Sequence, residues 1–128
     1  MISRRAVLKG ILGGSTICLG LPILEQMLNN LVSNALKYGR APFLISVRAD
    51  PDNVQMVAID VTDSGDGVSE EFQDQLFREF SRASGSVATG TGLGLYVVRS
   101  LAEAQGGSAT YTTAASGGAC FTVSLPAV

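Results

Sequence analysis

Polar side chains suited to metal and phosphate binding recur along one side of a helical segment near residue 30. Asn30, Asn34 and Lys37 stand at i, i+4 and i+7, so they share one stripe of a helix, and Tyr38 follows Asn34 by four more residues. An asparagine carbonyl suits Mg²⁺, a lysine ammonium neutralises phosphate, and a tyrosine ring can lie against a nucleobase. An ordinary solvated helix face is the alternative interpretation.

A carboxylate continues an apolar strand face in the middle of the chain. Asp63 shares its parity with the apolar residues of the preceding strand, Val57, Ile59 and Val61. It is therefore expected at the rim of the core. There it can accept a hydrogen bond from an adenine amino group, while Gly65 and Gly67 let the backbone approach the base. Asp60 and Asp66 are predicted to be solvated. A polar turn after a strand is the alternative.

A run of glycines leads directly into a helix start. Its residues are Gly90, Thr91, Gly92, Leu93 and Gly94. Exposed backbone N–H groups at the positive end of a helix bind phosphates. The run is not a Rossmann fingerprint, because no strand precedes it closely, and not a Walker A loop, because no Lys-Ser/Thr follows. A flexible linker is the alternative, and the small-residue loop 81–91 could act as a lid over bound nucleotide.

The spacing of apolar residues predicts the elements that position these groups. A long amphipathic helix is predicted over residues 23–38, where Gly39 stops it. A second helix is predicted after Ser69, its N-cap. The apolar side of that helix consists of Phe72, Leu76, Phe77 and Phe80. A third helix is predicted over 93–106. Alternating residues predict two hairpins, with strands at 43–49, 54–62, 108–113 and 119–125.

The composition fits one α/β domain and argues against other classes of protein. The 128 residues suffice for one modest core. The first 21 residues carry three of the nine basic residues and none of the eleven acidic ones, so the remainder has a net charge of −5. That charge argues against nucleic-acid binding. Cys18 and Cys120 form no metal or redox motif, and the sequence contains no histidine that could accept a phosphoryl group.

The first 22 residues differ from the rest and have the layout of a leader segment. Residues 3–9, SRRAVLK, resemble a twin-arginine translocation motif and precede a short apolar, glycine-rich run. A basic N-terminal helix without a targeting role is the alternative. No stretch reaches the ~20 apolar residues that span a bilayer. The predicted organisation is a signal-like segment, 1–22, followed by a folded domain, 23–128.

In this order and spacing, the motifs resemble the histidine-kinase branch of the Bergerat-fold ATPases, the GHKL superfamily, over residues 24–126. Residues 30–38 resemble the N box, 63–67 the first glycine box, 77–80 the F box and 90–94 the second glycine box. We expect the corresponding fold, a two-layer α/β (α+β) sandwich with three helices on one face of a mixed sheet of about four or five strands. The strand that usually opens this family's domain is predicted to be missing, with signal-like residues in its place.

The resemblance also implies a role for each matching residue. Asn34 is the expected Mg²⁺ ligand, and Asn30 and Lys37 are expected near the metal and phosphates as catalytic residues. Tyr38 is expected against adenine, and Asp63 on its amino group. The remaining nucleotide contacts fall to Gly65, Gly67, Phe80, Gly90, Thr91, Gly92, Leu93 and Gly94. In the gyrase and chaperone branches a water-activating glutamate occupies the place of Asn30. An amide cannot be a general base, so γ-phosphoryl transfer to a histidine is expected instead of efficient hydrolysis.

The predicted function is that of the Mg-ATP-binding catalytic domain of a sensor histidine kinase in a two-component system, acting in the cytoplasm. Its expected partners are a histidine-bearing dimerisation domain in trans and, indirectly, a response regulator, with no nucleic acid and no clear membrane span. Two alternatives stay open. One is a nucleotide-binding pseudo-kinase module without transfer activity, and the other is a twin-arginine-exported protein, directed to the membrane or periplasm, that uses the fold as a scaffold.

Overall fold

The structure, a computed structural model, describes residues 21–79 and 93–127 of the chain. Within these residues the elements are α1 Leu21–Tyr38, β1 Leu44–Asp50, β2 Asn53–Thr62, α2 Glu70–Gln73, α3 Gly94–Ala104, β3 Ser108–Thr113 and β4 Ala119–Pro126. The signal-like residues 1–20 and the predicted lid 81–91 lie outside the described residues, and both interpretations stay predictions.

Helix α1 forms because apolar side chains recur at helical spacing. Its buried stripe consists of Leu24, Met27, Leu31 and Ala35. The helix ends at Tyr38, and the N–H of Gly39 donates to the carbonyl of Ala35 at 2.8 Å. The helix predicted over 23–38 is confirmed. Neither α1 nor any other helix in the described part of the chain is long and apolar enough to cross a membrane.

The four described strands form one antiparallel sheet in the order β1-β2-β4-β3. In its register Val47 lies opposite Ile59, Ile59 opposite Val123, and Tyr111 opposite Phe121. Both predicted hairpins are confirmed, since β1 pairs with β2 and β3 with β4. Where a mixed sheet of four or five strands was expected, the described residues give four strands, all antiparallel. The described chain begins with α1 itself, so the missing first strand stays a prediction.

Alternation along the strands separates an inner from an outer face of the sheet. The inner face carries Val57, Ile59, Val61, Phe121, Val123 and Leu125, all buried. Helices α1 and α3 cover this face, and Val98 and Ala102 of α3 are fully buried in the same core. Burial of these apolar side chains is the main stabilising contribution. The predicted α/β sandwich with its helices on one face is confirmed.

The outer face of the sheet carries a polar network centred on Asp60. Asp60 lies opposite Ser46 of β1 and Thr122 of β4 and is only 8% exposed. Its carboxylate accepts hydrogen bonds from Arg48 Nε at 2.7 Å and from Thr122 Oγ1. The prediction that Asp60 is solvated is wrong, because side chains of both neighbouring strands close over it. Burial acts to raise its pKa, but the hydrogen bonds from Arg48 and Thr122 outweigh burial and hold the pKa below its ordinary value.

Acid should weaken the fold through this network. A carboxyl whose pKa falls on folding stabilises the native state above its unfolded pKa, ~3.9 for aspartate, and that stabilisation is lost as the pH drops through the folded pKa. We expect Asp60→Asn to lower the free energy of unfolding by about 1–3 kcal/mol near neutral pH. The variant should also lose less stability than the original chain below about pH 4.

Urea unfolding at neutral and at acidic pH measures both effects on the network. Asp74→Asn, the same change at an exposed aspartate, is the control. If the stability of Asp60→Asn falls with acid as steeply as that of the original chain, the Asp60 carboxylate does not stabilise the fold in this way.

Helix α2 is shorter than its apolar residues predict. The pattern favours a helix reaching residue 80, but α2 covers four residues and is followed by turns. Ser69 is the N-cap residue of α2, as predicted, but its side chain makes no capping hydrogen bond. Its carbonyl instead accepts two backbone N–H groups of α2 at 3.0 and 3.1 Å. Leu76 and Phe77 are adjacent in sequence, and the turn brings both against the core. The Phe77 ring meets Phe121 edge-on, with centroids 6.2 Å apart.

Candidate nucleotide-binding site

Asp63 lies just beyond the end of β2, at the rim of the inner face. It is only 6% exposed, and its backbone N–H donates to the carbonyl of Ala119 at 3.0 Å. Its Oδ1 accepts the N–H of Gly65 at 2.7 Å and, less closely, the N–H of Ala119 at 3.4 Å. Among residues 21–79 and 93–127, no hydrogen bond reaches Oδ2. The carboxylate is therefore held in one orientation by one of its two oxygens.

Glycines border the Asp63 carboxylate on several sides. A Cβ at Gly39 would lie 2.5 Å from Asp63 Cγ, and one at Gly65 would lie 3.1 Å from Oδ1. A Cβ at Gly118 would overlap the Asp63 carbonyl oxygen. Sequence reasoning treated Gly39 as a helix stop and Gly118 as part of a turn, and so missed that both enclose the carboxylate. Their role could have been predicted only from the pairing of β2 with β4, because this pairing brings the turn before β4 to Asp63.

The polar stripe of α1 runs from the start of α3 toward the end of β2. Asn30 Nδ2 donates to the carbonyl of Gly94 at 3.5 Å, and half-buried Asn34 follows one turn later. Lys37 and Tyr38 are exposed. The step from Asn30 to Tyr38 covers roughly 12 Å of helix. The two ends of the stripe thus border the other two predicted motifs, and the role of the stripe in nucleotide binding stays a prediction.

Gly67 turns the loop that follows Asp63. It adopts a φ of +74°, in the left-handed region that favours glycine. A Cβ here would lie 2.9 Å from the carbonyl oxygen of Gly117 and 3.2 Å from the hydroxyl of Tyr111. The protein itself therefore requires glycine at this position. The further role predicted for Gly67, close approach of the backbone to a base, stays a prediction.

The outer side of the same loop is tied to the residues that follow α1. Arg40 Nη2 donates to Asp66 Oδ2 at 2.8 Å, between side chains that are 69% and 88% exposed, so the prediction that Asp66 is solvated is confirmed. The carbonyl of Arg40 accepts the N–H of Ser64 at 2.8 Å, and the Ser64 hydroxyl donates to the carbonyl of Pro42 at 2.9 Å. An exposed ion pair contributes only ~0–1 kcal/mol, so the two hydrogen bonds from Ser64 to backbone carbonyls hold the loop more firmly.

Leu93 and Gly94 form the described end of the glycine motif and the start of α3. The Leu93 carbonyl accepts the N–H of Val97 at 2.9 Å, and a Cβ at Gly94 would meet no atom of the described residues within 4 Å. Gly94 is the first residue of an 11-residue helix, and the N–H groups at the start of a helix carry partial positive charge. The other predicted contacts of this region lie outside the described residues, namely Phe80, Gly90, Thr91 and Gly92.

The described residues offer few side-chain ligands for a metal ion. No group of three or more His, Cys, Asp or Glu side chains that could hold a metal occurs within the described residues. Asn34 offers a single amide oxygen from α1. Mg²⁺ commonly takes one or two protein ligands and completes its shell with substrate phosphates and water. The arrangement therefore fits a metal that arrives with a phosphorylated ligand.

Comparison with known proteins assigns the family. Residues 21–128 match the histidine kinase-, DNA gyrase B-, and HSP90-like ATPases. The chain belongs to this family. The sensor protein KdpD of Escherichia coli K12 is 37% identical over 108 residues, which cover 82% of this chain and 12% of KdpD. The signal transduction histidine-protein kinase AfsQ2 of Streptomyces coelicolor is 41% identical over 106 residues, which cover 80% of this chain and 19% of AfsQ2.

Solved structures of similar proteins share the fold of this ATPase domain. ShkA in complex with AMPPNP matches with a TM-score of 0.75 and 30% identity over 89% of this chain and 23% of that one. The ATP binding domain of PrrB from Mycobacterium tuberculosis matches with a TM-score of 0.64 and 28% identity over 84% and 68%. The chain spans less than a fifth of KdpD or AfsQ2. The predicted relationship is confirmed: this domain is homologous to the catalytic ATP-binding domains of sensor histidine kinases.

Proposed function

We propose that this histidine-kinase-type ATPase domain binds Mg-ATP and donates the γ-phosphoryl group to a histidine on a separate dimerisation domain. The observation that carries the proposal is the buried Asp63 carboxylate, whose Oδ1 is fixed by backbone N–H groups and whose Oδ2 accepts no hydrogen bond from the part of the chain that the structure describes. Membership in an ATPase family and the contact of Asn30 with the start of α3 support it.

Asp63 and the exposed ring of Tyr38 form the base end of the proposed site. Adenine carries an exocyclic amino group that can donate to Oδ2 of the carboxylate. Guanine carries a carbonyl oxygen in the same place, and two acceptors would then face each other. The carboxylate therefore favours adenine by attraction and disfavours guanine by repulsion. The aromatic ring of Tyr38 would cover a face of the base.

In the proposed complex the phosphates lie toward the start of α3, about 12 Å along α1 from the base end. Backbone N–H groups at a helix N-terminus favour anions, and the exposed ammonium of Lys37 adds a full positive charge. The amide oxygen of Asn34 would hold Mg²⁺ together with phosphate and water oxygens. Bound Mg²⁺ would neutralise charge on the phosphoryl group in transfer. Asn30, held near Gly94, would orient the phosphates.

The proposed transfer uses an acceptor from outside these 128 residues, which contain no histidine. A neutral imidazole nitrogen attacks the γ-phosphorus with its lone pair, the bond to the β–γ bridging oxygen breaks, and ADP leaves with that electron pair. The attack needs no general base from this domain. Asn30 is an amide and cannot deprotonate water, which favours transfer to the imidazole over hydrolysis. Positioning and charge neutralisation supply most of the catalysis.

The proposed partners follow from this acceptor. A histidine-bearing dimerisation domain receives the phosphoryl group, and a response regulator receives it next. The names of the relatives KdpD and AfsQ2, a sensor protein and a signal transduction histidine-protein kinase, support this assignment. The cytoplasm, which holds ATP, is the proposed compartment.

Asn34→Ala should remove the dependence of nucleotide binding on Mg²⁺. In the original chain we expect Mg²⁺ to tighten binding of a fluorescent ATP analogue, because it bridges Asn34 to the phosphates. In the presence of Mg²⁺ the variant should bind the analogue roughly 10- to 100-fold more weakly than the original chain. Its affinity should then equal that of the original chain in EDTA. Asn29→Ala, the same change at an exposed neighbour on α1, is the matched control. A Mg²⁺ effect of equal size in Asn34→Ala would show that the metal is bound elsewhere.

Phosphoryl transfer tests the proposed reaction directly. The chain is incubated with Mg²⁺, γ-labelled ATP and the dimerisation domain of a related sensor kinase. We expect label on that domain, and none when its acceptor histidine is replaced by glutamine. Binding without label on any of several such domains would favour the pseudo-kinase alternative. A folded chain that shows no saturable binding at millimolar ATP would overturn the proposed function.

A further inference from the structure

Tyr111 on β3 contacts the loop after Asp63 from the side of the sheet. Its hydroxyl accepts the backbone N–H of Val68 at 2.9 Å and lies 3.3 Å from Thr113 Oγ1. Its half-buried ring packs at a tilt on Phe121, with ring centroids 5.3 Å apart. The core therefore fixes the ring, and the ring aims the hydroxyl at the loop.

Two of the hydrogen bonds that hold the loop lie close together in sequence, in addition to its ties to Arg40 and Pro42. At its start, the N–H of Gly65 donates to Asp63 Oδ1 at 2.7 Å, and at its end the N–H of Val68 donates to Tyr111. Gly67 lies between these two points, and a Cβ at this position would be only 3.2 Å from the Tyr111 hydroxyl. A shift of the loop at Val68 would therefore also move the N–H of Gly65, three residues earlier.

We propose that Tyr111 is a positioning residue for nucleobase selection, acting through the loop and not on the nucleotide. This inference rests on the proposed function. The hydroxyl fixes Val68, the fixed loop keeps the Gly65 N–H on Oδ1, and Oδ2 of Asp63 is thereby aimed at the adenine amino group. Loss of the hydroxyl leaves the part-buried Val68 N–H without its acceptor, and the carboxylate is then less firmly oriented.

Tyr111→Phe isolates the hydroxyl, because the ring and its contact with Phe121 are retained. Purine riboside triphosphate, which is ATP without the exocyclic amino group, cannot donate to Asp63 and reports on that contact. We expect the original chain to prefer ATP over this analogue. Tyr111→Phe should reduce the preference roughly three- to tenfold, almost entirely through weaker ATP binding. A general loss of stability would weaken the binding of both nucleotides equally and leave the preference for ATP over the analogue unchanged.

Thr112→Val is the matched control, since it removes a hydroxyl from the next residue of β3, on the opposite face of the strand. Its nucleotide preference should equal that of the original chain. Hydrogen–deuterium exchange of the Val68 amide is a second measurement that needs no nucleotide. We expect faster exchange in Tyr111→Phe than in the original chain, and no change in Thr112→Val.

The outcomes separate this inference from the function on which it rests. A Tyr111→Phe chain that binds ATP with an unchanged preference overturns the inference and leaves the proposed function standing. An original chain that binds no ATP overturns both. If Tyr111→Phe does not fold, hydrogen exchange of the Val68 amide in the original chain tests the inference. Protection of this amide supports the hydrogen bond to Tyr111, and exchange as fast as that of the exposed Asp66 amide overturns the inference.

Discussion

Asp63→Asn should lower the affinity for ATP by roughly 10- to 100-fold. An asparagine offers one acceptor oxygen and one donor nitrogen in place of two acceptors. If its oxygen stays on the N–H groups of Gly65 and Ala119, its amino group faces the amino group of adenine. If it turns over, two donors face those backbone N–H groups instead. Either way one hydrogen bond to a charged acceptor is lost, worth about 1.5–3 kcal/mol.

Titration with a fluorescent ATP analogue measures this loss, and Asp66→Asn is the matched control. The Asp66 side chain is 88% exposed and pairs with Arg40 only at the surface, so its replacement should change affinity by less than about threefold. Purine riboside triphosphate should bind Asp63→Asn and the original chain about equally. A loss for this analogue as large as the loss for ATP would mean that Asp63 supports the fold and does not bind the base.

Gly118→Ala should damage stability and nucleotide binding together. The new Cβ would overlap the carbonyl oxygen of Asp63 and lie 3.0 Å from its Oδ1. Because the obstacle is largely backbone, it cannot be relieved by a side-chain rotation, and the end of β2 must separate from β4. Overpacking of this kind costs about 1–3 kcal/mol or more, and each kcal/mol lowers Tm by roughly 4–8 °C in a domain of this size.

Thermal unfolding followed by circular dichroism, with ATP titration below the transition, tests Gly118→Ala. Gly94→Ala makes the same chemical change where a Cβ meets no atom of residues 21–79 and 93–127 within 4 Å, so it is the control for stability alone. It lies in α3, where alanine is the more favourable residue, and should not lower Tm. An unchanged Tm and ATP affinity in Gly118→Ala would show that the turn before β4 can move away from Asp63 at no cost.

Local periodicity was enough to predict α1, both hairpins and the position of Asp63. Each depends on which face of a helix or strand a residue shares with its near neighbours, and that is readable from spacing alone. The polar stripe of α1 was predicted in the same way. Its contact with Gly94 was not, because that contact depends on how α1 and α3 pack across the sheet.

Asp60 and the glycines around Asp63 mark the limit of that reasoning. Parity predicts that Asp60 faces away from the helices, but Arg48 and Thr122 bury it from the two neighbouring strands. Those partners are set by strand register, which no spacing within β2 reveals. Gly39 and Gly118 likewise meet Asp63 only after the sheet has formed. Helix α2 also covers only four residues, where an extended apolar pattern favoured a longer helix.

Gly39 and Gly118 limit how this site can evolve. Both contribute by the volume they leave empty beside Asp63, and every possible substitution adds atoms. Small substitutions can therefore not adjust the shape of the site gradually at either position, as they can in a pocket lined by side chains. Under the proposed role of Asp63, a descendant sequence with a different base preference would have to change the carboxylate itself and then change the residues around it. At least two changes would be required, with the intermediate binding neither base well, so selection should keep such a lineage close to adenine.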